Sequence, residues 1–252
     1  MNKQEALFNY TLRLGDNALI MGHRISEWCS KGPLLEEDIA LSNLALDYLG
    51  QATALLKYAG ETEGKERSED DLAYKRAERE FVNNLMVELP NGDFAYSMAK
   101  IFLFSTFLKY YYEALSKSKD ETLAALAAKS LKEIKYHVRH SADWLCRLGD
   151  GTEESHRRMQ KALDDIWMYT GELFEMDEVD AFLIKEGIAV DINPIKEAWK
   201  KHVSQTFEKA TLKLPADAYM QTGGRKGLHT EYLGFILAEM QYLQRAYPDA
   251  KW

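Results

Sequence analysis

Apolar side chains recur along this chain at helical spacing nearly from end to end. Leu7, Leu14, Ala18, Met21, Ile25 and Trp28 fall on one stripe, which predicts a helix over residues 3–29, closed by Gly32-Pro33. Leu41, Leu44, Tyr48, Ala52, Leu55 and Ala59 predict a second, from Leu35 to about Ala59. Residues 61–71 hold six acids and two bases and read as a solvated loop. A shorter helix is expected over residues 72–89, ended by Pro90-Asn91-Gly92, and Asp93 is placed to cap a fourth over 94–115. Asp120 caps the longest pattern, which passes through Leu123, Ala127, Leu131, Ile134, Val138 and Leu145 and stops at Gly149-Asp150-Gly151. Thr152 can cap a sixth helix reaching Leu173, residues 177–187 form a short one, and Asn193-Pro194 open another to about Thr211. The last runs from Thr230, as its cap, to about Ala246. With no strand-like alternation, no repeat and no linker, the reading is one all-α domain over residues 1–252. Its four long helices would form a bundle, with shorter helices packed around them.

Charge narrows the partners. The 252 residues hold 32 Lys and Arg against 40 Asp and Glu, a net −8, with no basic run, which disfavours nucleic acid and anionic membranes. Two cysteines, Cys29 and Cys146, are too few for a disulfide framework and are expected to be buried, inert thiols of a cytoplasmic protein. No signal-peptide core and no membrane-length apolar run is visible.

The candidate chemistry lies in the bundle interior. Ile134 and His137 stand at i and i+3 on the core-facing stripe of the fifth helix. In ferritin-like di-iron bundles that spacing carries Glu-x-x-His, giving each iron pair a carboxylate and an imidazole, while two other helices add one acid each. Here isoleucine holds the Glu position, and on the second helix the equivalent slot is Tyr48 and Gln51. The single-acid positions fall near Asn17 or Ala18 and near Ser105. Asp16 and Asp47 are neighbours of the slots, but an adjacent residue on a helix points about 100° away. The four residues Tyr48, Gln51, Ile134 and His137 are thus degenerate di-iron slots, with no metal and no catalytic residue expected. His137 reads as a core histidine hydrogen-bonded to a neighbour such as Tyr48 or Gln51, and His140 as a surface or interhelical residue.

The stretches Leu46–Ala52 and Lys132–His137, with Gly223-Gly224-Arg225-Lys226-Gly227-Leu228-His229-Thr230-Glu231-Tyr232-Leu233-Gly234, resemble the C-type subunits of bacterial phenylacetyl-CoA epoxidases. The resemblance extends over nearly the whole chain, to Ala238–Leu243 and Trp252. It implies a ferritin-like fold in a multicomponent oxygenase that epoxidises the ring of phenylacetyl-CoA. It also implies a structural role beside a catalytic A subunit that carries the di-iron centre, with a reductase and small accessory subunits. The other readings are a divergent di-iron oxidase or oxygenase active by itself, and a ferritin-like binding protein unrelated to aromatic catabolism. A homodimer of the isolated chain stays open.

Two surfaces follow from this reading. Arg225 and Lys226, in a glycine-rich loop ahead of a helix, would suit an anion such as a CoA phosphate; the alternative is a turn that positions the last helix. The run from Phe102-Leu103-Phe104 to Tyr110-Tyr111-Tyr112 holds more large side chains than one core-facing stripe can bury. Part of it, with the C-terminal segment 223–252, is therefore expected at a partner interface.

Overall fold

The computed structural model describes residues 1–216, 219–248 and 250. Trp252, the last residue of the resemblance and the end of the expected C-terminal interface, lies outside the described residues. Among the described residues all regular structure is α-helix or 3-10 helix, so the all-α class is confirmed, with four long helices of the kind a ferritin-like bundle uses. None is long and apolar enough to cross a membrane. The chain divides into two compact units, residues 1–90 with 223–252, and residues 91–222.

In the first unit, α1 (Lys3–Ser26) and α2 (Leu35–Glu63) pack antiparallel, with Gly15 against Leu56 and Gly22 against Leu49. Asn2 starts α1 through a capping box with Glu5. The helix stops three residues before the expected Cys29, which therefore lies exposed in the following turn rather than buried. α2 continues to Glu63, so the expected acidic loop is partly helical, and α3 (Glu69–Tyr74) begins inside it behind a Ser68–Asp71 capping box.

The single helix expected over residues 72–89 is three pieces: α3, a 3-10 turn at Glu78–Glu80, and α4 (Leu85–Glu88). The backbone donors a helix would need here are spent on α1 side chains. Val82 N–H donates to Asp16 Oδ2 at 2.9 Å and Asn84 N–H to Asn17 Oδ1 at 2.8 Å. Arg76 turns inward: its Nη1 meets Asp16 Oδ2 at 2.9 Å, its Nη2 reaches Asp16 Oδ1, and the guanidinium lies over the Phe81 ring. Both side chains of this ion pair are buried.

The C-terminal helix is also divided, into α10 (Glu231–Met240) and α11 (Tyr242–Ala246), numbers that leave α5–α9 to the second unit. The break is at Gln241, whose buried amide donates to Ala73 O at 3.3 Å and Arg76 O at 3.0 Å instead of facing solvent.

In the second unit, α5 (Phe94–Leu115) and α6 (Glu121–Gly149) are antiparallel, Phe94 meeting Trp144 edge-on at 4.9 Å near one end. Asp93 and Asp120 cap them as expected. Cys146, near the end of α6, is half-buried rather than fully enclosed. α7 (Glu153–Trp167), α8 (Glu178–Lys185) and α9 (Asn193–Lys209) follow, with Leu173 in a separate 3-10 turn after α7. Asn193 is the first residue of α9, not its cap, and its side chain bonds Asp191.

α6, α7 and α9 all pack on α5 and bury most of the surface expected at an interface there, leaving Tyr110 half-buried. Phe102, Leu103, Phe104, Tyr111 and Tyr112 are buried within the chain. Trp199 of α9 donates its indole N–H to Leu103 O at 3.0 Å, and Phe207 lies beside Phe102. Three neighbouring helices give one helix more than one buried stripe, so large residues on α5 need no partner.

The Asp16–Arg76 pair generates a test. Removing one member of a buried pair leaves an unpaired charge, at a cost of about 3–5 kcal/mol, whereas replacing both by apolar residues can be nearly neutral. Arg76→Leu should lower the urea midpoint by that order, and Asp16→Leu/Arg76→Leu should recover much of it. Equal midpoints for wild type and Arg76→Leu would show that the pair does not hold this unit.

Candidate functional site

Both helical slots are built as the periodicity implied. α2 buries Tyr48 and Gln51 one turn apart, and α6 buries Ile134 and His137 in the same relation. Ala18 and Ser105 are buried too. Asn17 is committed to the Asn84 amide. One turn beyond His137, Ser141 Oγ donates to the His137 carbonyl at 2.6 Å. His140 is half-buried and stacks on Tyr136 with ring centroids 5.7 Å apart.

The donors at these positions are a phenol, an amide, a hydroxyl and one imidazole. Two iron ions need several carboxylates to offset their charge, and isoleucine supplies no donor. Neither slot, taken by itself, supplies the carboxylate of a Glu-x-x-His half-site, so neither fits its share of a di-iron pair. Asp16, the acid adjacent to the α1 slot, has both oxygens engaged by Arg76. Among the described residues no group of three His, Cys, Asp or Glu is placed to hold a metal.

The charged chemistry of the first unit is concentrated elsewhere, around residues to which sequence reading assigned no chemistry. Glu88, on α4, places its carboxylate at the head of α10: Oε1 accepts the Thr230 N–H at 2.6 Å, and Oε2 faces His229 Nδ1 at 3.0 Å. Asn83 Nδ2 donates to the same Oε2 at 3.1 Å, and Arg24 Nε donates to the Glu88 carbonyl at 3.0 Å. His229 Nε2 meets Phe81 O at 2.8 Å. With the Glu88 carboxylate on one ring nitrogen and the Phe81 carbonyl on the other, the surroundings favour a ring that donates from both, the imidazolium. Burial alone would push its pKa down, but the Glu88 hydrogen bond and charge, with the Phe81 carbonyl, hold it above the ordinary 6.5.

This arrangement bears on the glycine loop. Gly224–Lys226 form a 3-10 turn, with Arg225 half-buried and Lys226 exposed. Gly227 has φ +69°, and a Cβ there would collide with the Arg79 carbonyl, so the glycine serves backbone packing. Thr230 stands at the cap of α10 but its side chain makes no capping bond. The head of α10, behind the loop that carries Arg225 and Lys226, receives the protein's own Glu88 carboxylate.

Comparison with known proteins decides the family. A family model described as "Phenylacetic acid catabolic protein" matches residues 1–252. The chain belongs to that family. It is similar to the Escherichia coli (strain K12) protein named as the C subunit of 1,2-phenylacetyl-CoA epoxidase, with 49% identity over 243 residues, 96% of this chain and 98% of that protein. The resemblance read from the α2 and α6 slots and from residues 223–234 is thus confirmed. Within this phenylacetic acid catabolic protein, His229, Thr230 and Gly227 of that last stretch have structural duties that spacing alone could not reveal.

Two outcomes test these assignments. A raised folded-state pKa means that His229 contributes stability in full below pH 6.5, and that this contribution is lost as pH rises through the folded value. His23 and His202, lowered by burial, act in the opposite sense, so the comparison must be with His229→Gln. The stability difference between wild type and His229→Gln should shrink above neutral pH; a difference independent of pH from 6 to 9 would contradict a cationic ring. Ile134 is fully buried, so Ile134→Glu would take a carboxylate out of water and cost several kcal/mol or force its protonation. Its melting temperature should fall; an unchanged value would contradict the burial of this position.

Proposed function

We propose that this chain is the non-catalytic C-type member of a cytoplasmic phenylacetyl-CoA epoxidase, and that it binds and stabilises the iron-bearing A subunit. The reading rests most on one observation: slots built for Glu-x-x-His hold Tyr48, Gln51 and Ile134, in a chain similar along nearly its whole length to a protein named as an epoxidase's C subunit. A fold that keeps the bundle helices without the ligands has no chemistry of its own to perform at that centre. Its work is done by surface.

In this reading the oxygen chemistry belongs to the di-iron centre of the partner, and electrons arrive through a reductase, with small accessory subunits completing the system. This chain's own residues supply support: Asp16, Arg76, Glu88 and His229 fix the short helices and the C-terminal segment of the first unit. That segment leaves Phe235, Tyr242, Leu243 and Tyr247 exposed, which favours the C-terminal part of the expected interface.

Co-expression tests the proposal. The A subunit produced with this chain should be soluble, elute with it on gel filtration, and oxygenate phenylacetyl-CoA when reductase and electrons are supplied. An A subunit that is equally soluble and active without this chain would overturn the structural-subunit reading.

A further inference from the structure

α2 carries an outward stripe that its own chain does not explain. At 100° per residue, Leu35, Ile39, Ser42, Leu46, Gly50 and Thr53 fall within an arc of about 80°. Leu35 is 72% exposed, Ile39 54% and Leu46 65%. Gly50 and Thr53 are exposed as well, and Ser42 is half-buried. No charged residue falls inside the arc from Leu35 to Thr53, although 29% of the chain is charged, and the exposed Lys57 ends the uncharged run one turn on. Solvent-facing helix surface ordinarily carries the opposite composition.

Gly50 is the sharper anomaly. It sits in the middle of a 29-residue helix, where glycine is the worst ordinary helix former. A Cβ at Gly50 would meet nothing within 4 Å, so no neighbour among the described residues requires its absence. A small residue on an apolar stripe is what close approach of a second helix requires.

The occupant can be narrowed by charge and area. α2 contains six acids, Glu36, Glu37, Asp38, Asp47, Glu61 and Glu63, against the single base Lys57. Glu36, Asp47 and Glu61 follow one edge of the stripe. A second copy packed antiparallel about a two-fold would set these acidic edges against each other. The stripe is also about 27 Å long and one helix wide, roughly 300 Å². Two such faces give about 600 Å², below the roughly 1,000 Å² that a specific interface needs. The area requires any occupant to add contacts elsewhere, and the acidic edges disfavour a second copy, so the occupant is a helix of a different protein with a basic edge.

We propose that the α2 stripe Leu35–Thr53 is the seam on which a long helix of the iron-bearing subunit docks, with uncharged side chains facing the stripe and Lys or Arg along the edge facing Glu36, Asp47 and Glu61. This rests on the subunit reading above and adds its location. Gly50 admits the partner backbone, Leu35, Ile39 and Leu46 supply the apolar contact, and the acidic edge sets the orientation and rejects a second copy.

The test uses the full chain with its co-expressed A subunit, and the variants Gly50→Leu and Leu46→Lys. Both positions are exposed, and leucine is the better helix former, so the isolated Gly50→Leu chain should melt at or above the wild-type temperature. Binding of the A subunit to either variant should weaken by about tenfold or more. Variants that bind as wild type does would overturn the seam while leaving the subunit reading intact. A wild-type chain that forms no complex would overturn both. Variants that abolish a homodimer of the isolated chain but leave the mixed complex untouched would assign the stripe to a second copy, and would also overturn the proposal.

Discussion

The buried ion pair between Asp16 and Arg76 is the contact on which the first unit depends. One carboxylate on α1 receives the guanidinium and the Val82 N–H together, which fixes the path of the chain after α3 and prevents residues 72–89 from forming one helix. The same Arg76 offers its carbonyl to Gln241 and to Arg245, so the break between α10 and α11 is set from the same point. Taking two charges out of water is costly, and such a pair persists only when the remaining donors and acceptors are satisfied. Here Arg76 also donates to the Leu72 and Glu80 carbonyls, so four of its five N–H donors have protein acceptors.

The charged side chains of this unit have been turned from ligation to scaffolding. In a di-iron bundle, acids on core helices neutralise metal. Here the acid beside the α1 slot neutralises an arginine, and another buried carboxylate, Glu88, pairs with His229 at the head of α10. The first pair ties the segment after α3 to α1, and the second ties the head of α10 to α4. That division of labour fits a subunit whose value lies in a rigid outer surface.

Much of this was legible in the sequence because helix periodicity is a local property. The caps Asp93, Asp120 and Thr152, the limits of α5 and α6, and the buried slots at Tyr48, Gln51, Ile134 and His137 all follow from spacing within one helix. What was missed depends on partners far apart in the chain. Arg76 lies 60 residues from Asp16, and His229 lies 141 from Glu88. Asp16 was discounted because it sits one position off the apolar stripe, yet an acid so close to a core face was a signal that a buried cation would be needed. The burial of Phe102–Tyr112 on several sides also escaped, because a single stripe cannot anticipate how many helices will surround it. The exposed glycine at 50 was readable only once α2 had a known outer face.

Iron analysis of the isolated chain tests the central claim most directly. Purified alone from iron-supplemented cells, the protein should hold far less than one iron per chain, since its buried slots offer a phenol, an amide, an isoleucine and one imidazole. About two irons per chain, lost in His137→Ala, would contradict it.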